Sequence, residues 1–318
     1  MTEPLLPSGL DRFAEDPDIE LMGPKDLTEK ALIEAVQEAE GIAVRSAKLT
    51  PQVVAAARNL RAVSRHGVGY DNIAVDALTD RNIPLLLAIH SNAVSVAEHT
   101  MYFLLALAKR GRLYDDAARA SSFAFRNAPV AIDIAEKTLT IVGFGRIGSR
   151  LAPRALAFDM KVNVYDPYVE DAVIVKAGCH PVDDLLSVLS QTDFLTVHCP
   201  LNDETRGIIG DRALSLMHPG SFVLNCARGG IVNESALAKA LGESRIAGAG
   251  VDVYETEPPS QNHPFLSNQK MLLSPHSAGV SVEAATRMSF ETADNLIAAL
   301  KGEVRTEALA NPSISGDP

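Results

Sequence analysis

Cysteine is scarce in this sequence, long apolar runs are missing, and no stretch concentrates lysine and arginine. Cys179, Cys199 and Cys226 are an odd number without CxxC spacing, which argues against both a disulfide framework and a zinc site, so reduced thiols and no metal are expected. The longest apolar stretches, 101–108 and 85–89, fall well short of the roughly 20 residues that a membrane-spanning helix needs, so no membrane is expected as a partner. The formal net charge of −11 repels phosphate backbones, and without a basic run to override it nucleic acid is not expected either. An anionic substrate would have to be met by a local cluster of arginines. The opening Met1-Thr2-Glu3-Pro4 has neither the basic flank nor the apolar run of a secretory signal, which leaves the cytoplasm as the expected location.

What is present is an ordinary globular composition, 47% hydrophobic and 22% charged over 318 residues, enough for two cored domains. Apolar runs alternate with helical patterns almost from end to end, which predicts an α/β fold with largely parallel sheets. In the first part strands are expected at 19–22, 41–45, 62–64 and 84–87, with a helix over 28–40 and another begun by Thr50-Pro51. A long, mostly apolar helix follows over 95–110. Six further strands are expected at 139–143, 161–165, 194–198, 221–226, 247–253 and 271–274, the number of a dinucleotide-binding sheet. The last long helix, 281–300, lies beyond that series, so the chain is expected to return to its first domain. The organisation read from the sequence is two Rossmann-like or flavodoxin-like domains with parallel sheets, a cleft between them and a chain that crosses twice. Residues 1–92 with 283–318 are expected to form a discontinuous substrate-binding domain, and 93–282 the cofactor domain.

Residues 139–150 carry an apolar strand into Gly143-Phe144-Gly145-Arg146-Ile147-Gly148 and then a helical stretch. In such a fingerprint Gly143 allows the tight turn, Gly145 removes a side chain where a pyrophosphate approaches, and Gly148 lets helix and strand pack closely. The helix N-terminus offers N–H groups and partial positive charge to phosphates. The motif alone is ambiguous, since glycine turns also serve structural ends and occur in methyltransferases. The next strand ends in Asp166, near the offset at which an acidic side chain accepts from ribose hydroxyls, and this favours a dinucleotide. A carboxylate there also repels a 2′-phosphate, which favours NAD over NADP.

Three more segments stand just past expected strand ends: Asn225-Cys226-Ala227-Arg228-Gly229-Gly230, Asp252-Val253-Tyr254-Glu255-Thr256-Glu257-Pro258, and Pro275-His276-Ser277-Ala278-Gly279. Together with the fingerprint and with Arg65-His66-Gly67-Val68-Gly69-Tyr70-Asp71-Asn72, they resemble the D-isomer-specific 2-hydroxyacid dehydrogenases. The likeness is greatest to the phosphoglycerate dehydrogenase branch, in a short form without a regulatory domain. The resemblance implies that Arg228 binds the substrate carboxylate and carbonyl, that His276 is the acid/base with Glu257 as its partner, and that Asp252 contacts the nicotinamide amide. It further implies that Arg146, Ile147, His198, Pro200, Thr205, Cys226, Ala227, His276 and Gly279 line the cofactor beside the three glycines and Asp166. A homodimer joined through the cofactor domains, with the 104–125 region contributing, is implied in the same way.

The chemistry asks for these residue types whatever the family. Oxidising a secondary alcohol needs a base for the hydroxyl proton as hydride leaves carbon, and an imidazole can take and return that proton near neutrality. A nearby carboxylate favours the imidazolium form that donates during reduction. Arginine matches a carboxylate with a planar fork. A lone histidine after a strand is more often a packed or surface residue, so the reading depends on the three segments together.

For the substrate, Val68-Gly69 lies in a glycine-bracketed loop whose amides suit a carboxylate. Arg45, Ser46 and Arg65 follow expected strands and, by resemblance, receive a distal phosphate, sulfonate or carboxylate. The expected substrate is thus a small anionic 2-hydroxy or 2-keto acid, with 3-phosphoglycerate one possibility and glyoxylate, hydroxypyruvate or sulfolactate the alternatives. His90-Ser91 departs from the family's usual Pro-Gly type of turn, which loosens the choice of substrate. Only a stub, Thr2-Glu3-Pro4, stands where relatives have a first strand, so a very short strand or a weakened first domain is expected. Two rivals remain open: an NADH-sensing corepressor-like binding protein, and formate dehydrogenase chemistry, against which Glu257 argues because that branch carries glutamine there.

Overall fold

The computed structural model describes residues 1–127 and 129–314. The chain divides into two compact units, 1–92 with 280–318 and 93–279, and residues 315–318 of the expected first domain lie outside the described residues.

The first unit is built on a parallel sheet in the order β1 (Gly41–Val44), β2 (Ala62–Arg65), β3 (Leu85–Leu87). Both faces are covered, which is why these strands read as continuous apolar runs. Val44, Val63 and Leu85 pack on one face with Val53 and Leu78, while Ala43, Ala62 and Leu86 pack on the other with Ala293, Leu296 and Ile297 of the helix Val282–Leu300. The small alanines of the second face let that helix lie close. Its N-cap is Ser281, whose hydroxyl accepts from the Ala284 amide at 3.0 Å.

Two expectations for this unit need correction. No strand forms over 19–22, where the Ile19 amide closes a turn on the Asp16 carbonyl. The place beside β1 is taken instead by residue 2, whose amide donates to the Ala43 carbonyl at 2.9 Å, so the stub makes a single ladder contact. The helix expected over 28–40 is confined to Glu29–Ala35, capped by the Thr28 side chain. A helix not expected at all, Pro7–Ala14, buries Phe13 in the cluster formed around Leu296.

The second unit carries a seven-stranded, wholly parallel sheet: β4 (Thr138–Val142), β5 (Lys161–Tyr165), β6 (His180–Pro181), β7 (Phe194–Val197), β8 (Phe222–Asn225), β9 (Gly248–Val251) and β10 (Met271–Leu273). The spatial order is β10-β9-β8-β7-β4-β5-β6, with the two-residue edge strand β6 the one strand of this sheet that the sequence did not suggest. From β4 the chain winds outward through β5 and β6, then returns to place β7 on the other side of β4. The turn after β4 therefore lies at the topological switch point, where doubly wound sheets bind ligands. The helix Ala93–Ala108 packs Phe103 and Leu104 into the core with Leu139, Ile141 and Phe222.

Candidate active site

The C-terminal ends of the seven parallel strands form one rim of the second unit's sheet. After β4 the backbone turns through Gly143 at φ +95°, and a Cβ there would stand 2.7 Å from the Cys199 nitrogen. A Cβ on Gly148 would meet the Gly143 oxygen at 2.1 Å, so the start of the helix Gly148–Leu156 lies flush on the strand end. Gly145 differs, because a Cβ there would have nothing within 4 Å. Its missing side chain serves no protein neighbour, as befits a position kept bare for the close approach of a ligand.

Asp166, one residue past β5, accepts from the Phe144 amide at 2.7 Å and the Tyr168 amide at 3.0 Å, one bond per carboxylate oxygen. It braces the glycine turn and still has acceptor capacity for hydroxyl groups. Cavities of about 470 and 210 Å³ border Tyr165 and Asp183, the smaller also touching Asp166, and neither is lined by His276. They lie at the β5 end of the rim, away from the turns that follow β9 and β10. His198, beyond β7, sits 3.0 Å from the Thr196 hydroxyl through Nε2, while its buried Nδ1 has no protein partner. Burial pushes its pKa down to about 3, so the ring is neutral. Thr205 donates to the Pro200 carbonyl at 2.6 Å and accepts from the Asn202 amide, which folds the 200–205 turn over the same edge. The residues present fit a dinucleotide: a bare glycine, a helix N-terminus, a strand-end carboxylate and a buried unpartnered ring nitrogen.

At the other end of the rim, the register aligns Asn225, Val251 and Leu273 on adjacent strands β8, β9 and β10. Backbone bonds then tie the turns that follow: the Asp252 amide donates to the Asn225 carbonyl at 2.9 Å, and the His276 amide to the Asp252 carbonyl at 2.7 Å. His276 is held at φ +54°, and its Nδ1 lies 2.7 Å from Glu257 Oε2. The other Glu257 oxygen accepts from the Tyr254 amide at 3.0 Å. Both side chains of this pair are substantially exposed, 47% and 37%. Arg228 stands on a turn fastened by Asn225, whose side chain accepts from the Ala227 amide and donates to the Arg228 carbonyl. A Cβ on Gly229 would fall 2.1 Å from the Tyr254 backbone, so the Arg228 turn rests directly on the turn leading to Glu257. Three residues scattered over 49 positions of sequence are thereby brought to one rim.

Asp252 is 1% exposed, and its carboxylate accepts from the Ser274 hydroxyl and from the Ser277 and Ala278 amides at 2.8 and 2.9 Å. These bonds make it the clasp of the His276 turn. Cys226 and Ala227 are both buried, and burial pushes the Cys226 thiol up to about 12, so it stays protonated. The sequence reading passed over several positioning residues. Asn225 fastens the arginine turn, and Ser274 links Asp252 to His99 Nε2 at 3.1 Å. Glu234 accepts from the Glu255 amide at 2.8 Å and lies 3.0 Å from His263 Nε2, steadying the approach to Glu257. Asn225 opens the quoted arginine motif and Glu234 follows it by four residues, and only their contacts reveal what they do.

In the first unit the corresponding rim carries the expected substrate residues. The Arg65 guanidinium donates to the carbonyls of Gly69, at 2.6 Å, and His66, and so folds the Gly67-Val68-Gly69 loop over the end of β2. Arg45 Nη1 donates to the Pro4 carbonyl at 2.9 Å, and Ser46 donates to Glu3 from its amide, at 2.7 Å, and from its hydroxyl. The three groups expected to meet a distal anion thus have partners within their own unit. Among the described residues no cluster of three or more histidine, cysteine or acidic side chains could hold a metal ion, and no helix is long and apolar enough to cross a membrane.

A doubly wound parallel sheet with a glycine fingerprint at its switch point and a histidine–carboxylate pair on the same rim defines a Rossmann-type nucleotide-binding protein. Residues 101–278 match the model of the D-isomer specific 2-hydroxyacid dehydrogenase NAD binding domain, and the chain belongs to that family. It is 35% identical over 99% of its length to a D-3-phosphoglycerate dehydrogenase of Methanocaldococcus jannaschii, and 38% identical over 87% to one of Mycobacterium tuberculosis. The chain spans 59% and 52% of those proteins. Among solved structures, a D-lactate dehydrogenase of Aquifex aeolicus complexed with NAD and lactic acid superposes with a TM-score of 0.86 at 27% identity, covering 96% of both chains.

Proposed function

We propose that this chain is an NAD-dependent oxidoreductase that interconverts a small D-2-hydroxy acid and its 2-keto acid. The observation that carries the reading is the His276–Glu257 pair, 2.7 Å apart on the rim that also bears Arg228 and the glycine fingerprint. Because Nδ1 faces Glu257, Nε2 is left to take the substrate hydroxyl proton during oxidation and to return it during reduction. Glu257 steadies the positive ring that forms. Arg228 engages the C1 carboxylate and holds C2 in position. Gly143, Gly145, Gly148 and Asp166 would hold NAD, which when bound exchanges hydride with C2.

The relatives named D-3-phosphoglycerate dehydrogenase and the D-lactate dehydrogenase with its lactic acid support a 2-hydroxy acid as substrate. A cytoplasmic homodimer accords with three free thiols among the described residues and with the second unit's helix Gly111–Arg119, which buries none of its residues and leaves Leu113 exposed, as Phe123 is in the segment that follows. The first unit is proposed to bind the substrate through the Val68-Gly69 loop.

The test is reduction of glyoxylate, hydroxypyruvate and pyruvate with NADH by wild type and His276→Gln, with NADH binding followed by fluorescence. The expected result is turnover by wild type and a loss of kcat on the order of 10²–10⁴-fold in the variant with NADH affinity retained. NADH binding without turnover of any acid by wild type would favour the sensor alternative and sink the enzymatic reading.

A further inference from the structure

Within the second unit, the helix Ala93–Ala108 brings an imidazole, that of His99, to the end of β10. The helix is seated on Gly250 of β9, where a Cβ would stand 2.8 Å from the Phe103 ring, so only bare backbone lets it lie this close. His99 precedes Phe103 by one helical turn, and the two rings meet edge to face at 4.5 Å. β10 runs beside β9 with Leu273 opposite Val251, and His99 Nε2 reaches the Ser274 hydroxyl, one residue past β10, at 3.1 Å.

The direction of each bond follows from what each group can give. The Ser274 hydroxyl has one proton and donates it to the Asp252 carboxylate, which only accepts. Ser274 Oγ then meets His99 as an acceptor, which makes Nε2 the protonated nitrogen of that ring. Burial, opposed by the charge of Asp252, holds the His99 pKa below its ordinary value, so at neutral pH the ring carries one N–H, and this bond uses it. With the proton on Nδ1 instead, Nε2 would compete with Asp252 for the serine proton. Asp252 in turn collects three successive amides: its carbonyl accepts from His276 at 2.7 Å, and its carboxylate from Ser277 at 2.8 Å and Ala278 at 2.9 Å. These bonds hold His276 at φ +54°, a left-handed backbone that residues with a Cβ rarely adopt and that persists only where the surroundings fix it.

We propose that His99 is a positioning residue of the proton-transfer site: by donating to Ser274 it directs the serine hydroxyl at Asp252 and so holds the turn that carries the His276 ring. This rests on the dehydrogenase reading above and adds to it a residue from a helix outside every strand-end turn. His99 acts through Ser274 and Asp252 rather than on the substrate. Its effect falls on kcat, because the aim of His276 Nε2 enters proton transfer, and not on cofactor affinity, which depends on the glycine fingerprint and Asp166.

The experiment compares wild type with His99→Leu, which keeps an apolar fill against Phe103 and removes the N–H, and with His99→Gln, whose amide nitrogen takes the place of Nε2 as donor. With NADH and whichever of glyoxylate, hydroxypyruvate and pyruvate wild type reduces fastest, His99→Leu is expected to lower kcat about tenfold, with KM and NADH affinity within about threefold of wild type. His99→Gln is expected to recover most of that loss. In a Ser274→Ala background His99→Leu is expected to cost nothing further, since the relay is already broken. An unchanged kcat in His99→Leu, an equal loss in His99→Gln, or losses that add in the double variant would each overturn the assignment, the last two by pointing to packing alone. Should wild type turn over no 2-keto acid, the functional reading fails and hydrogen exchange decides the relay by itself. The amides of residues 276–278 are then expected to exchange about tenfold faster in His99→Leu than in wild type or His99→Gln, and equal exchange in all three overturns the relay.

Discussion

Asp252 in the second unit and Glu3 in the first are clasped by the same donor set, two neighbouring backbone amides and a serine hydroxyl. Asp252 is buried to 1% and its donors come from the turn that holds His276, so the clasp is part of the framework. Glu3 is partly open to water and its donors belong to a strand-end loop, so water can take the place of a lost bond. Burial decides between the two: an unmade charged hydrogen bond in the interior costs its full desolvation, whereas water softens the loss at the surface.

The largest expected effect comes from breaking the buried clasp. Asp252→Ala strands three donors and frees the His276 turn, and should cost roughly 3 kcal/mol of stability. It should also lower kcat by on the order of 10²-fold through misplacement of the imidazole. Denaturant unfolding and steady-state kinetics check both, and an unaffected kcat would mean that Asp252 does not hold the catalytic turn.

Acid sharpens the contrast between the units at an intermediate scale. Burial holds His198 in the second unit down to about 3, and burial with Arg45 and Arg65 nearby holds His66 in the first down to about 4. Both folded values lie below the ordinary 6.5, so the unfolded chain takes up protons first and stability falls as pH drops below about 6.5, continuing to about 4 for His66 and about 3 for His198. At about pH 5, roughly 1.5 units below the ordinary value, each ring costs about 2 kcal/mol. Urea unfolding of wild type and His198→Asn at about pH 7 and pH 5 should show a smaller acid loss in the variant. Equal losses would place the acid sensitivity elsewhere.

The smallest effect is expected at the exposed clasp. Thr2→Val removes one of the donors to Glu3 and should change stability by less than about 1 kcal/mol, measurable as a shift in the urea midpoint. A loss as large as that of Asp252→Ala would show that the Glu3 clasp is framework after all and erase the distinction drawn between the two carboxylates.

Much of this protein was legible in its sequence because the signals are local. Most strands of both sheets, buried on both faces, stood out as apolar runs, and the glycine fingerprint, together with Asp166 at the end of the next strand, announced its turn through spacing. The D-2-hydroxyacid dehydrogenase resemblance was carried by short strand-end motifs, and these motifs occupy the rim where the fold puts them. The errors also have local causes. An apolar run at 19–22 looks like a strand, but an edge strand exists only if a neighbour's edge is open, and residue 2 already occupies that of β1. The two-residue β6 and the helix Pro7–Ala14 are set by what they pack against, which no periodicity reports.

The sequence by itself determined the residue types available for chemistry and the order in which strands and turns deliver them. Tertiary structure alone decided which carboxylate does which work. Asp252, Glu257 and Glu3 are the same functional group; their surroundings separate them, through donors drawn from turns far away in sequence and through the access of water to each. Nothing in a run of residues encodes that access, because it arises only when distant segments close around a charge.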